Sequence, residues 1–287
     1  MLTAAIGRYP HTTALLDGKV GDPRLDLRFA DVKPISRAFA PMVRDLRYDV
    51  SEMAIATFLQ AKAYGKDIVL LPIVLAARFQ EAALLCLASS AIRGPADLAG
   101  KRIGVRAYSQ TTGVWLRGVL HDQHGISPEQ IRWITFEDAH VAEYRDPPWA
   151  ERAPIGAELL GLLHAGDVDA IVVGNEVPDD PAFRTVFPDP AAAGTAFWNL
   201  HHLIPVNHLV TIRGATLRKQ PNLAAQLIDL FGNSKAASAN APPELLIGRA
   251  TLQPAIELAV RYTSEQGLLP GPFTADEVWA GLPSDIS

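Results

Sequence analysis

Residues 101–120, Lys-Arg-Ile-Gly-Val-Arg-Ala-Tyr-Ser-Gln-Thr-Thr-Gly-Val-Trp-Leu-Arg-Gly-Val-Leu, pass from a short apolar run through a hydroxyl-rich turn into an amphipathic helical pattern. A strand feeding a helix through a tight turn is half of an α/β crossover unit. The same alternation extends in both directions. Strand-like runs fall at 2–6, 49–55, 68–75, 83–88, 101–105, 132–135, 169–173 and 209–212, and helical spacing dominates 223–231 and 252–266. The pattern predicts an α/β chain of two lobes, mixed sheets flanked by helices, with a ligand cleft between lobes at the carboxyl ends of the strands. Turn-rich residues 89–100 open the second lobe and the extended stretch 204–212 leaves it. Lobe I is therefore expected at 1–88 plus 209–287 and lobe II at 89–208. Residues 179–190 and 191–194 read as surface connection, and His201 and His202 as alternating positions of a strand.

Composition narrows the function. At 287 residues and 48% hydrophobic content the chain can build substantial cores. A net charge of −5 without a basic block argues against nucleic acid or an anionic membrane as partner. A small acidic ligand must then be held by a few local donors. Cys86 is the only cysteine and sits in an apolar run, so it reads as a small buried hydrophobe and excludes an internal disulfide. The opening Met1-Leu-Thr-Ala-Ala-Ile-Gly reads as a core strand rather than a secretory signal, which makes the cytoplasm the expected location. No run reaches the ~18 uninterrupted apolar residues of a membrane span.

Local chemistry concentrates after the strand-like runs. Ser109, Thr111 and Thr112 can each cap the following helix, and with Gln110 they form a turn whose backbone N–H groups suit a carboxylate or phosphate. Neither a Walker loop nor a dinucleotide fingerprint is present. Tyr9, His11 and Thr12 follow the first strand, Ser51 and Glu52 close the second, and Asn175 and Glu176 follow the run at 169–173. His121 and His124 precede Gly125, where a helix C-terminus accounts for them better than a metal does.

Several stretches together carry a family likeness. Val43-Arg-Asp-Leu-Arg-Tyr-Asp-Val-Ser-Glu-Met, residues 100–118, residues 201–213, and Arg249-Ala-Thr-Leu with Tyr262-Thr-Ser-Glu-Gln-Gly-Leu resemble the 4,5-dihydroxyphthalate decarboxylase family over nearly the whole chain. The resemblance implies a type II periplasmic-binding-protein-like fold and non-oxidative loss of CO2 from a hydroxylated aromatic carboxylate. It further implies no organic cofactor and a self-associating chain. Solute-binding proteins and menaquinone-pathway lyases share the Gly-Lys-Arg-Ile-Gly-Val type of strand and stand as alternatives.

Losing CO2 from an aryl carboxylate requires protonating the ring carbon that bears it, so such a site needs an acid and a base near the ring hydroxyl. Histidine suits that proton step. His11 and His208 are the candidates, with Glu52 as a base or an orienting carboxylate. A divalent ion held by these three side chains is the open alternative. Arg78, Arg117 and Arg44 are cations able to fork onto a carboxylate, Tyr9 can flank a ring, and Trp115 fits a core better than a ring site. Asn175 and Glu176 could hold a ring hydroxyl.

Overall fold

A computed structural model of the chain describes residues 1–174 and 178–286. Its strands are β1 (Leu2–Ala5), β2 (Leu27–Phe29), β3 (Val50–Ala54), β4 (Ile68–Ala77), β5 (Leu84–Leu87), β6 (Arg102–Val105), β7 (Arg132–Thr135), β8 (Ala150–Arg152), β9 (Ala170–Val172), β10 (Phe183–Thr185) and β11 (Val206–Arg213). Between them run α1 (Pro10–Leu16), α2 (Phe39–Asp45), α3 (Ile55–Ala63), α4 (Thr111–His124), α5 (Leu159–Ala165) and α6 (Pro190–His201). After β11 come α7 (Gly214–Lys219), α8 (Leu223–Ala236), α9 (Arg249–Glu265) and α10 (Ala275–Val278).

The chain divides into two compact units. The first comprises Met1–Ala77, Val206–Val260 and Gly271–Ser287; the second comprises Arg78–Pro205 and Arg261–Pro270. The boundaries therefore differ from those expected at 88/89 and 208/209. β5 belongs to the second unit because it pairs antiparallel with β9 and β10, and β11 starts at Val206, where it pairs with Ala77 of β4. Such long-range pairing leaves no local mark on composition.

The first unit holds a five-stranded sheet ordered β2-β1-β3-β11-β4. β1 runs parallel to β2 and β3, while the late strand β11 inserts antiparallel to both β3 and β4. β3 is buried along its whole length and β4 over its first eight residues, which is why β4 reads as one continuous apolar run. Leu71, Ile73, Val210, Leu227 and Phe231 meet in the core under α8. Truncating a leucine such as Leu71 to alanine costs about 2–5 kcal/mol in such a setting.

The second unit holds a six-stranded sheet ordered β10-β5-β9-β6-β7-β8. β9, β6, β7 and β8 are parallel neighbours, so the strand–turn–helix stretch at 101–120 lies at the centre of a parallel set, as β6 leading into α4. Gly125, with φ of 65°, closes α4 in the left-handed conformation that glycine tolerates best. Trp115 and Cys86 are fully buried. Residues 179–190 are not all connection, since β10 lies among them, and residues 191–194 are the first turn of α6 rather than a surface loop. Asp189 caps that helix by accepting from the Ala192 N–H at 2.9 Å. His201 ends α6 and His202 is its left-handed cap, so neither lies on the strand expected there. Among the described residues no helix is long and apolar enough to cross a membrane.

Candidate active site

In β3 the side chains alternate between faces, which sets Glu52 with Val50 and Ala54 and sets Ser51 with Met53. In the ladder Val210 faces Glu52 and His208 faces Ala54, so His208 and Glu52 are diagonal neighbours on one face, within reach of long side chains. Nδ1 of His208 lies 2.6 Å from Oε1 of Glu52. The Tyr9 hydroxyl donates to the same oxygen at 2.6 Å, and the Gly7 N–H donates to Oε2 at 2.8 Å. Glu52 has no solvent exposure. The Tyr9 hydroxyl, the Gly7 N–H and the His208 ring around this buried carboxyl hold its plane in one orientation, with His208 donating in the tautomer that carries its proton on Nδ1.

Each partner is placed by local sequence. Gly7 follows β1, where a Cβ would lie 2.8 Å from Oε2 of Glu52 and 2.8 Å from the Tyr9 ring, so only glycine leaves room for the carboxyl. Tyr9 is the N-cap of α1, followed by Pro10 at its first position. Burial, and then the Glu52 charge, pushes the Tyr9 hydroxyl far above its ordinary range, which keeps it a donor. His208 has 18% side-chain exposure and meets the edge of Phe39 at 5.2 Å between ring centres. With Nδ1 facing Glu52, Nε2 is the nitrogen left for proton exchange.

The other sequence-predicted residues of the first unit are distributed differently. His11 is buried with its ring parallel to Tyr9, the centres 5.2 Å apart and the planes 3° from coplanar, and neither ring nitrogen has a well-formed hydrogen bond. Thr12 is fully buried; its hydroxyl donates to the Gly7 carbonyl at 2.7 Å and accepts from the Tyr9 N–H at 2.8 Å. Ser51 is fully buried on the opposite face from Glu52 and donates to the Glu52 carbonyl at 2.8 Å. Thr12 and Ser51, read from sequence as substrate contacts, are thus internal braces of the loop and the strand. Among the described residues no group of three or more His, Cys, Asp or Glu side chains is arranged to hold a metal, so the His11, Glu52 and His208 tripod is not assembled. Beyond the ends of β1 and β2, a cavity of about 530 Å³ is lined by Gly7, Arg8 and Tyr9 on one side and by Phe29, Val32 and Ile35 on the other.

The second unit holds the remaining candidates. One N–H of Arg78 donates to the Gly174 carbonyl at 3.1 Å, its Nε is buried without a partner, and burial pushes its pKa down. Gln110 is the N-cap of α4 and its side chain forms no cap; Ser109, Thr111 and Thr112 are buried beside it. Arg117 lies deep in the interior. Its guanidinium bonds Gln266 at 2.7 Å and the Tyr108 carbonyl at 2.5 Å and stands 4.0 Å over the Tyr108 ring, while its Nη1 is buried without a hydrogen-bond partner. Asn175 and Glu176 lie outside the described residues. Sequence reasoning missed Gly7 as a donor and the cluster in which Asp122 accepts from Arg261 at 2.5 Å and from the Tyr262 hydroxyl at 2.7 Å. A glycine directly after a strand was the available signal for Gly7.

Comparison with known proteins defines the class first. The alkanesulfonate-binding protein SsuA from Xanthomonas axonopodis pv. citri, bound to MOPS, matches with a TM-score of 0.58 at 17% identity, covering 97% of both chains. A mutant of DSZB in complex with biphenyl-2-sulfinic acid matches with a TM-score of 0.54 at 17% identity, covering 97% of this chain and 96% of the other. These likenesses show the fold, which is the type II periplasmic-binding-protein arrangement of two α/β units with mixed sheets flanked by helices. The family described as NMT1/THI5 like matches residues 47–145. The particular relatives are two decarboxylases. The chain is 28% identical to the 4,5-dihydroxyphthalate decarboxylase of Comamonas testosteroni over 83% of its length and 75% of the relative's. It is 27% identical to the enzyme of that name from Pseudomonas putida over 69% of its length and 81% of the relative's. The resemblance read from residues 43–53 and 100–118 is borne out by these matches.

Proposed function

We propose that the chain is a carboxy-lyase that removes CO2 from a hydroxylated aromatic acid of the 4,5-dihydroxyphthalate type without an organic cofactor. The observation that carries this reading is the His208 and Glu52 pair braced by Tyr9, since it supplies an oriented imidazole on a fully buried carboxyl. The two decarboxylase relatives support the reaction class. His208 delivers a proton from Nε2 to the ring carbon bearing the departing carboxylate. The carbon–carbon bond then breaks, its electron pair restores the aromatic ring, and CO2 leaves. Electron release from a ring hydroxyl assists the protonation, and the imidazole regains its proton from that hydroxyl or from water. Glu52 acts through His208 by fixing the tautomer and orientation and by stabilising the imidazolium, as carboxylates do beside histidines in proton-transfer sites. The cavity of about 530 Å³ falls within the ~300–1,000 Å³ of small-molecule sites and has an apolar wall of Phe29, Val32 and Ile35, but it meets the pair only through Tyr9, since neither Glu52 nor His208 lines it.

The second reading is a non-catalytic binding component for a small carboxylate. The fold shared with the alkanesulfonate-binding protein favours it, because fold alone does not fix function. Incubating the protein with a panel of hydroxyphthalates and hydroxybenzoates, with and without a chelator, separates the two. CO2 release that survives chelation supports the lyase; saturable binding without release supports the binding protein. A cytoplasmic, self-associating enzyme accompanies the lyase reading, to be checked by cell fractionation and light scattering.

A further inference from the structure

Within the first unit, His11 is buried with no well-formed hydrogen bond at either ring nitrogen, the Leu75 backbone offering only a weak one. A buried polar atom without a partner costs about 1–3 kcal/mol, so its retention calls for an explanation. The residue occupies the second position of α1, and the Ser234 hydroxyl of α8 donates to its backbone carbonyl at 2.8 Å. That bond fixes the backbone while the ring lies flat against Tyr9.

We infer that His11 is a positioning residue for the proposed proton-transfer site: uncharged, it holds Tyr9 and through it Glu52 and His208 in the working arrangement, and charged, it disturbs that arrangement. The inference rests on the lyase reading only for its catalytic consequence. The groups facing the ring fix the sign. Tyr9 presents a ring face from the start of α1, β3 contributes the Glu52 charge, β4 the backbone of Leu75, and α8 the like charge of Lys235. Lys235 itself bonds the Leu245 carbonyl. Among the described residues the acidic group acting on an imidazolium at this place is Glu52, whose Oε1 already contacts both Tyr9 and His208. Burial holds the His11 pKa below its ordinary 6.5, against the pull of the Leu75 backbone and Glu52. His11 is therefore neutral above pH 6.5 and takes up its proton only as the pH falls below that value. In that range a charged His11 competes for the Glu52 carboxyl, and the Tyr9 and His208 contacts on its Oε1 lose their fixed arrangement.

The test is a pH titration of the wild-type protein by side-chain NMR of labelled histidines, repeated with His11→Phe, which keeps the stacking and cannot charge. In the wild type, His11 is expected to titrate below the free-imidazole range, and the His208 signals to move with that step. In His11→Phe that movement disappears, and the acid limb of kcat shifts to lower pH. An ordinary His11 titration, a His208 signal that ignores it, or the same movement surviving in His11→Phe overturns the inference. Should His11→Phe not fold, the wild-type titration decides alone. Proton binding is read without turnover, so a protein that releases no CO2 from any acid removes the lyase reading and leaves the coupling measurable.

Discussion

Nδ1 of His208 and Oε1 of Glu52 lie 2.6 Å apart across the diagonal of the β3 and β11 ladder, and the carboxyl between them and Tyr9 has no solvent exposure. Replacing Glu52 by Gln keeps the shape but removes the charge and turns one of the two acceptor oxygens into an NH2 donor, so Tyr9 and His208 on one side and the Gly7 N–H on the other can no longer all be accepted. The expected result is a kcat lower by about 100- to 10,000-fold with KM changed by little. Steady-state kinetics alongside a melting curve checks it; a near-normal kcat in a folded variant contradicts the orienting role.

Tyr9→Phe removes one of the two donors on Oε1 and retains the ring that stacks on His11. Its cost is expected to be smaller than that of Glu52→Gln, roughly tenfold in kcat and about 1 kcal/mol in stability. Burial and the Glu52 charge both resist ionisation of Tyr9, as burial does for Tyr262 and Tyr108, so ultraviolet titration of Tyr9→Phe is expected to show one phenol fewer protonated above the ordinary tyrosine range than the wild type.

Gly7→Ala introduces a Cβ 2.8 Å from Oε2 of Glu52 and 2.8 Å from the Tyr9 ring. Both are pinned, so the substitution displaces the carboxyl and costs about 1–3 kcal/mol of stability. Activity is expected to fall with it, as measured by denaturant unfolding and kcat on the same sample.

Much of the fold was legible because its main strands are continuous apolar runs. Every strand expected from those runs is present, β4 most plainly. The strands that escaped, β2, β8 and β10, have three residues each, lie at sheet edges, and carry Arg28, Glu151 with Arg152, and Arg184. Short edge strands of this kind have no buried face to impose alternation. At His201 and His202 the strand reading overlooked Asp189 as a cap and Pro190 at the first position, which mark a helix.

The site was legible as residue types and less so as geometry. Tyr9, His11, Glu52 and His208 were all named from their places after strands or on β11, and they do meet in the first unit. Ser51 was misassigned because adjacent strand residues face opposite ways, and Thr12 because its hydroxyl closes the Gly7 loop. The choice of His208 over His11 as the partner of Glu52 follows from the register of β3 against β11, which no local pattern encodes.

Asp122 gives an acid-stability prediction in the second unit. Burial opposes its ionisation, but hydrogen bonds from Arg261, Tyr262 and His121 and the Arg261 charge bring its carboxyl down from 3.8 to about 2. The stabilisation is therefore complete above pH 3.8 and is lost as the pH falls through about 2. Asp122→Asn is expected to lower stability at neutral pH and to flatten the acid side of the profile, as read from urea unfolding across that range.

The most direct measurement follows 4,5-dihydroxyphthalate carrying a 13C-labelled carboxylate, incubated with the protein in D2O and observed by NMR. The proposed mechanism predicts labelled CO2 together with one deuterium at the vacated ring carbon, and loss of both in His208→Gln. Saturable binding with the label still on the ring, or unchanged release in a folded His208→Gln variant, contradicts it.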